Sequence, residues 1–83
     1  RRARIIGNGG FHSVAEWRDL CDKWDNRCIC CGQSVPLTED HIIPLSKGGT
    51  DNIDNIQPLC LSCNSRKNDQ FIDYRNPFVA MAT

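Results

Sequence analysis

The sequence predicts a small α+β domain that is held together by a bound metal ion. The chain has 83 residues, which suits a single domain whose apolar core is too small to give much stability. Two Cys-x-x-Cys pairs stand far apart in it, and helical and extended patterns alternate around them. We expect one domain over residues 1–83, with an irregular arm at 1–12, a helix at 13–26, a metal-stapled core at 28–70 and a tail at 75–83.

An extra helix is predicted before the first cysteine pair. Ser13 can cap its first turn, and Glu16 three residues later completes a capping box. Apolar residues then recur at steps of three and four, which predicts one buried stripe: Val14, Trp17, Leu20, Cys21 and Trp24. We therefore expect Cys21 to be a small buried apolar residue, and the two tryptophans to be core residues instead of platforms for base stacking.

Two short extended stretches and a second helix are predicted after this point. Residues 40–45 are rich in β-forming side chains, and Pro44 restricts this stretch to a sheet edge or a strand end. Residues 33–39 before it are expected to form a loop, and 53–59 a second extended stretch. The second helix is expected to begin at 61–62 and to run to about Tyr74, because Asn76-Pro77 ends it.

The cysteine pairs Cys28-x-x-Cys31 and Cys60-x-x-Cys63 have the spacing of two zinc knuckles. Cys30 would leave a strained one-residue gap, so it is not assigned as a ligand. A disulfide pair and a redox-active Cys-x-x-Cys are the alternatives. Neither a secretory signal nor a thioredoxin-like βαβ pattern accompanies the cysteines, which favours metal binding. Four protein ligands fill the coordination shell of Zn²⁺, so the expected ion is structural.

Charge and hydropathy limit the possible partners. Lysine plus arginine and aspartate plus glutamate number 10 each, so the net charge is zero, whereas most DNA-binding domains are positively charged. Local basic clusters remain, at Arg1, Arg2 and Arg4 and at Arg66 and Lys67, and predict weak, salt-sensitive binding. No apolar run has the length of a membrane helix and the first residues are unlike a secretory signal, so we expect a cytoplasmic protein without a membrane partner.

The region around the cysteine pairs resembles the HNH endonuclease family. The resemblance is carried by residues 40–49 (DHIIPLSKGG), 54–60 (DNIQPLC) and 63–67 (CNSRK). It implies a ββα-metal fold, in which two antiparallel strands and a helix hold one divalent metal beside a zinc-ribbon-like site of four cysteines. It also implies hydrolysis of nucleic-acid phosphodiester bonds, in a setting such as a phage or a mobile element.

The same resemblance implies roles for the matching residues. Asp40 is similar to the metal-binding acid that precedes the catalytic histidine, and His41 is similar to the general base. Asn55 is similar to the asparagine that holds the ring of this histidine. Asn64 falls where the last histidine or asparagine of the motif binds the metal, so this chain carries an HNN version.

The basic residues near the motif are expected to face nucleic acid. Lys67 matches a basic position of the family's helix, near the phosphate. We expect Arg66 and Lys47 to contact the nucleic acid as well. His12 has no support from a motif and is expected to be a loop residue.

The residue types suit the chemistry of phosphodiester hydrolysis. A histidine changes charge near neutral pH, so His41 can take a proton from water. Oxygen ligands from Asp40 and Asn64 favour Mg²⁺ or Mn²⁺ as the Lewis acid. Each residue also has an ordinary alternative: the Asp-His pair as a surface turn, Asn64 as a helix cap, and Lys67 as part of a solvated helix face. Their joint occurrence between two knuckles favours the nuclease.

We therefore expect a metal-dependent DNA endonuclease of low intrinsic sequence specificity, making nicks or double-strand breaks. A non-catalytic zinc-ribbon module that binds nucleic acid is the alternative function, and RNA is the alternative substrate. A monomer or a weak homodimer is expected, with other domains or proteins supplying specificity.

Overall fold

The computed structural model describes residues 9–75 of the chain. The arginine cluster expected to meet nucleic acid at the start of the chain, and the predicted tail from residue 76 onward, lie outside these residues. Two helices and two strands follow one another as α1 (Val14–Lys23), β1 (Leu37–His41), β2 (Ile56–Cys60) and α2 (Leu61–Lys67). The small α+β fold predicted from the sequence is confirmed.

Helix α1 begins where the capping pattern predicts. The hydroxyl of Ser13 accepts a hydrogen bond from the N–H of Glu16, and the carboxylate of Glu16 accepts one from the N–H of Ser13. Both halves of the capping box are therefore formed. The helix ends at Lys23, earlier than expected. Cys21 is the buried residue of its apolar stripe, whereas Trp17, Leu20 and Trp24 are half-buried and Val14, predicted to be buried with them, is exposed.

The two strands form an antiparallel sheet in which Leu37 pairs with Cys60 and His41 with Ile56. Both strands are displaced from the predicted stretches. Strand β1 includes part of the predicted loop at 33–39 and ends at His41, whereas residues 45–47 and 53–55 form single 3₁₀ turns. The sheet register explains the difference, because pairing with β2 extends the first strand back to Leu37.

Helix α2 is shorter than the predicted helix to Tyr74. It ends at Lys67 because Asn68 adopts a positive φ of 53°, which right-handed helix does not allow. Its N-cap is Cys60, whose sulfur accepts from the N–H of Cys63, so Asn64 lies inside the helix and is not the cap residue. Helix α2 contacts both strands, which places it beside the sheet.

The core lies between the first cysteine pair, β2 and α2. Cys28, Leu59, Cys60 and Cys63 form its buried cluster, and Ile29, Leu37 and Tyr74 pack against it. Three of the four buried members are thus cysteines. Among the described residues, no helix is long and apolar enough to cross a membrane.

Candidate active site and metal centre

The sulfurs of Cys28, Cys31, Cys60 and Cys63 all lie within 4.8 Å of one another. A tetrahedral ion with metal–sulfur bonds of about 2.3 Å has sulfurs about 3.8 Å apart, and the Cys31 and Cys60 sulfurs are 3.9 Å apart. The cluster therefore fits Zn²⁺, with the ligands predicted from the spacing. Cys30 is not a member of the group, also as predicted.

Each knuckle turns a backbone amide toward its first sulfur. The N–H of Cys31 lies 3.5 Å from the Cys28 sulfur, and the N–H of Cys63 lies 3.4 Å from the Cys60 sulfur. Burial alone would raise the pKa of Cys28, but N–H groups of Cys31, Cys60 and Cys30 outweigh it and lower that pKa to about 6. The thiolate of Cys28 is thus stabilised at neutral pH.

Burial acts in the opposite direction on Cys63. It raises the pKa of this thiol well above the ordinary value, although the guanidinium of Arg66 donates to the sulfur over 3.1 Å and opposes the rise. Arg66, expected to face nucleic acid, is solvent-exposed but is directed to the metal centre. A bound cation is what allows several thiolates to lie this close together.

A polar cleft of about 280 Å³ lies at the end of β1, on the side facing α2. It brings together Asp40, His41 and Asn64, three of the four residues that the motif predicts for the active site. The remaining lining is mostly polar: Glu39, Pro44, Leu45, Ser46, Asn68 and Asp69. An imidazole, a carboxylate and a carboxamide therefore share one solvent-accessible space.

Asp40 is only 4% exposed and is held through one of its two oxygens. Its Oδ2 accepts from the amide of Gln57 over 2.7 Å and lies 3.2 Å from the ammonium of Lys67. Gln57 is itself fixed, because its amide also donates to the carbonyl of Ile72 and its oxygen accepts from the N–H of Tyr74. Within residues 9–75, Oδ1 of Asp40 accepts no hydrogen bond, so it is available to a cation.

The orientation of the Asn64 amide follows from Thr38. The hydroxyl of Thr38 donates to the carbonyl of Leu59 over 2.8 Å, so it can only accept from Asn64. The nitrogen of Asn64 donates to it over 2.8 Å. In the described part of the chain, the amide oxygen of Asn64 is therefore left without a donor, as an oxygen ligand requires.

The ring of His41 is held by Asp51. Its Nε2 lies 2.9 Å from Oδ1 of this buried carboxylate, while the side chain keeps 23% of its surface exposed. An ionised carboxylate only accepts, so Nε2 carries the proton and Nδ1 of the neutral ring keeps its lone pair. No hydrogen bond between described residues involves Nδ1.

Asn55 does not hold the histidine ring as the resemblance implied. Its oxygen accepts from the N–H of Ile43, and its nitrogen donates to the carbonyls of Ile43 and Thr50. Gly49 makes this closure possible, because a Cβ there would collide with the carbonyl of Ile43. Asn55 therefore closes the loop that follows the histidine, and Asp51 on this loop holds the ring.

The sequence model of the HNH endonuclease family matches residues 28–70. This range begins at the first knuckle cysteine, ends just beyond α2, and covers more than half of the chain. The chain belongs to the HNH endonuclease family. No curated protein and no solved structure matches it. The resemblance inferred from the motif is confirmed, and the fold is a ββα-metal fold beside a four-cysteine site.

The HNH helix does not place Lys67 where the sequence predicts. Lys67 is 2% exposed, and its ammonium lies 3.0 Å from the carbonyl of His41 and 3.2 Å from Asp40. A side chain buried in this way supports the site from inside instead of contacting phosphate. Lys47 is exposed, on the turn beside the cleft-lining Ser46, and suits the phosphate-facing role better.

Two residues beside the cleft of this HNH domain carry no motif in the sequence. They are Asp51, which is buried beside His41, and His12, which is expected to be a loop residue but is completely buried. His12 lies 39 positions from Asp51 and contacts it directly. Only the position of Asp51, on the loop between two motif segments, was a signal in the sequence.

Proposed function

We propose that this HNH domain is a metal-dependent endonuclease that hydrolyses phosphodiester bonds of DNA, with His41 as the general base. The observation that carries the proposal is the composition of the cleft. A histidine whose Nδ1 keeps its lone pair lies beside Asp40 and Asn64, each with an oxygen that accepts no hydrogen bond within residues 9–75. A pure binding module would not need a base next to two oxygen ligands.

The residues divide the chemistry between them. His41 would take the proton of the attacking water at Nδ1, which Nε2 cannot do while it donates to Asp51. Asp40 and Asn64 would hold the cation, and their hard oxygen donors fit Mg²⁺ or Mn²⁺. When bound, this ion supplies a Lewis acid for the phosphate and for the leaving oxygen.

Substrate binding would depend on local positive charge and not on the net charge of the molecule. The net charge is zero, so the affinity for DNA should be weak and should fall steeply with salt. A single catalytic metal site makes one cut per encounter, so the expected product is a nick. A double-strand break would need a dimer or a second event.

The decisive experiment is a supercoiled-plasmid assay on zinc-loaded protein without added divalent metal, with Mg²⁺ and with Mn²⁺. We expect metal-dependent nicking, and a loss of about 10²–10⁴-fold in His41→Ala, because that is the usual contribution of general base catalysis. A structured RNA in a parallel assay distinguishes the two substrates.

The matched control is Asp19→Asn, a change on an exposed part of α1 away from the cleft. Zinc content and circular dichroism show that each variant is folded. Parent-like nicking by a folded His41→Ala protein would refute the assignment of the base. Binding of DNA without cleavage under any metal condition would favour the zinc-ribbon binding module.

A further inference from the structure

Asp51 lies between the two histidines of the chain. It is 2% exposed, and its Oδ1 lies 2.9 Å from Nε2 of His41 and 3.7 Å from Nδ1 of His12. The carbonyl of Asp51 also accepts from Nδ1 of His12 over 2.6 Å. Both the backbone and the side chain of one loop residue are therefore fixed close to the proposed base.

His12 connects this loop to strand β1. Its Nε2 lies 2.9 Å from a carboxylate oxygen of Glu39, and the side chain is completely buried. Both ring nitrogens thus face acceptors, a carbonyl on one side and a carboxylate on the other. The ring of His12 therefore lies between the carboxylate of Glu39 and that of Asp51, and bridges the two elements that carry them.

The backbone before His12 is fitted to the same loop. The carbonyl of Gly9 accepts from the N–H of Asp51 over 3.0 Å, and the N–H of Phe11 donates to the side chain of Asn52 over 3.2 Å. Gly10 has a φ of +90°, and a Cβ there would lie 2.8 Å from the nitrogen of Asp51. The backbone of segment 9–12 therefore lies in direct contact with the backbone of the loop, and only glycine fits at position 10.

We propose that Asp51 and His12 are positioning residues for His41: Asp51 holds the ring as its Nε2–H tautomer, and His12 holds Asp51. The catalytic role of His41 rests on the proposed function, but the tautomer does not. The segment 9–12 lies before the range that the family model matches. A chain cut at the start of that range would keep the motif and lose this support.

The tautomer of His41 gives the direct test. Long-range ¹H–¹⁵N spectra of zinc-loaded protein, recorded at pH 9 where an imidazole is ordinarily neutral, distinguish a protonated Nε2 from a protonated Nδ1. We expect Nε2–H in the parent and a mixture in Asp51→Asn, because an amide can donate as well as accept. A parent ring with its proton on Nδ1 would overturn the proposal without any variant having to fold.

The second test measures turnover. Asp51→Asn should lower kcat by about 10²-fold with KM nearly unchanged, and His12→Asn should lower it less, because it acts through Asp51. The matched control is Asp54→Asn, an exposed carboxylate on the neighbouring turn whose change should leave both the spectra and kcat unchanged. If Asp51 had a merely structural role, Asp51→Asn would lower the stability of the protein but leave the tautomer of His41 as in the parent. That result would refute the proposal. A third outcome separates the two proposals. If neither the parent nor any variant cleaves DNA, but His41 carries its proton on Nε2 in the parent and changes its tautomer in Asp51→Asn, the proposed nuclease activity is refuted and the positioning role of Asp51 is supported.

Discussion

Asn55 makes three hydrogen bonds to the backbone around the cleft, to the N–H and carbonyl of Ile43 and to the carbonyl of Thr50. Its side chain is 8% exposed, so water cannot easily replace these partners. Asn55→Ala should lower the free energy of unfolding by about 3 kcal/mol, because buried polar groups would lose their partners. Urea denaturation of the zinc-loaded protein measures this.

The control for this change is Asp22→Ala on helix α1, which removes one exposed hydrogen bond from the amide of Asn26. We expect a change of less than about 0.5 kcal/mol there. Equal effects of the two substitutions would show that Asn55 does not close the loop. The motif predicts a role for Asn55 at the histidine ring, whereas its contacts with Ile43 and Thr50 are seen only in the structure.

Lys67 supplies a positive charge to the buried side of Asp40, with its ammonium 3.2 Å from Oδ2. Lys67→Met keeps the length of the side chain but leaves the carboxylate with Gln57 alone, which should destabilise the protein by about 3 kcal/mol. Mg²⁺ should restore more stability in this variant than in the parent, because a bound cation would neutralise the same carboxylate. Thermal melts with increasing Mg²⁺ measure the difference.

Lys47→Met is the matched control, since Lys47 is exposed. Its melting temperature and its response to Mg²⁺ should equal those of the parent. An unaltered melting temperature in Lys67→Met would contradict the buried ion pair.

Among the helices and strands, the sequence predicts those boundaries that depend on interactions between residues close together in the chain. The capping box of Ser13 and Glu16 lies within one turn, and it placed the start of α1 correctly. The limits of the strands depend on the pairing of Leu37 with Cys60, far apart in the chain, and no local pattern reports it. The end of α2 depends on the positive φ of Asn68, which asparagine tolerates but does not require.

The cap of α1 is testable because both of its hydrogen bonds are exposed. Ser13→Ala should reduce the free energy of unfolding by about 1 kcal/mol, since one first-turn N–H loses its acceptor. Ser34→Ala, in an exposed part of the chain outside the helices and strands, should change it by only a few tenths of this. Parallel urea titrations compare the two, and a cap variant as stable as the parent would argue against a formed capping box.

The knuckles predict how metal binding depends on pH. In metal-free protein the pKa of Cys28 is lowered to about 6, whereas those of Cys31 and Cys63 are raised. The lowered pKa of Cys28 stabilises the folded state at pH values above the ordinary thiol pKa, and this stabilisation is lost as pH falls through about 6. The raised pKa values of Cys31 and Cys63 stabilise the folded state at pH values below the ordinary thiol pKa, and that stabilisation is lost as pH rises through the raised values.

At pH 7, therefore, Cys31 and Cys63 still carry protons that zinc must displace. Zinc binding should release at least these two protons, so the affinity should fall steeply as pH falls. Calorimetric titration in buffers of different ionisation enthalpy counts the protons. A release of fewer than two would contradict the raised pKa values.

The whole molecule depends on the metal centre because its apolar core is small. Four residues form the main buried cluster, and three of them are the cysteines Cys28, Cys60 and Cys63. These thiols come from the loop before β1, the end of β2 and the start of α2, so one ion ties three parts of the chain together. Without it, the same sulfurs would face one another in the centre of the core.

The last prediction concerns this dependence. Cys60→Ser removes a ligand and also changes the N-cap of α2, so the variant should lose zinc and unfold, as small domains with structural zinc do. Cys30→Ser is the matched control, because Cys30 is exposed, lies between two ligands and is outside the metal-binding group. It should keep one zinc and melt like the parent. Metal analysis after gel filtration, together with circular dichroism, separates the two variants.

Because the cleft is built on the strands and helix that the sulfurs join, loss of zinc should also abolish cleavage. A zinc-free Cys60→Ser protein with the melting temperature of the parent would show that apolar packing alone maintains the fold.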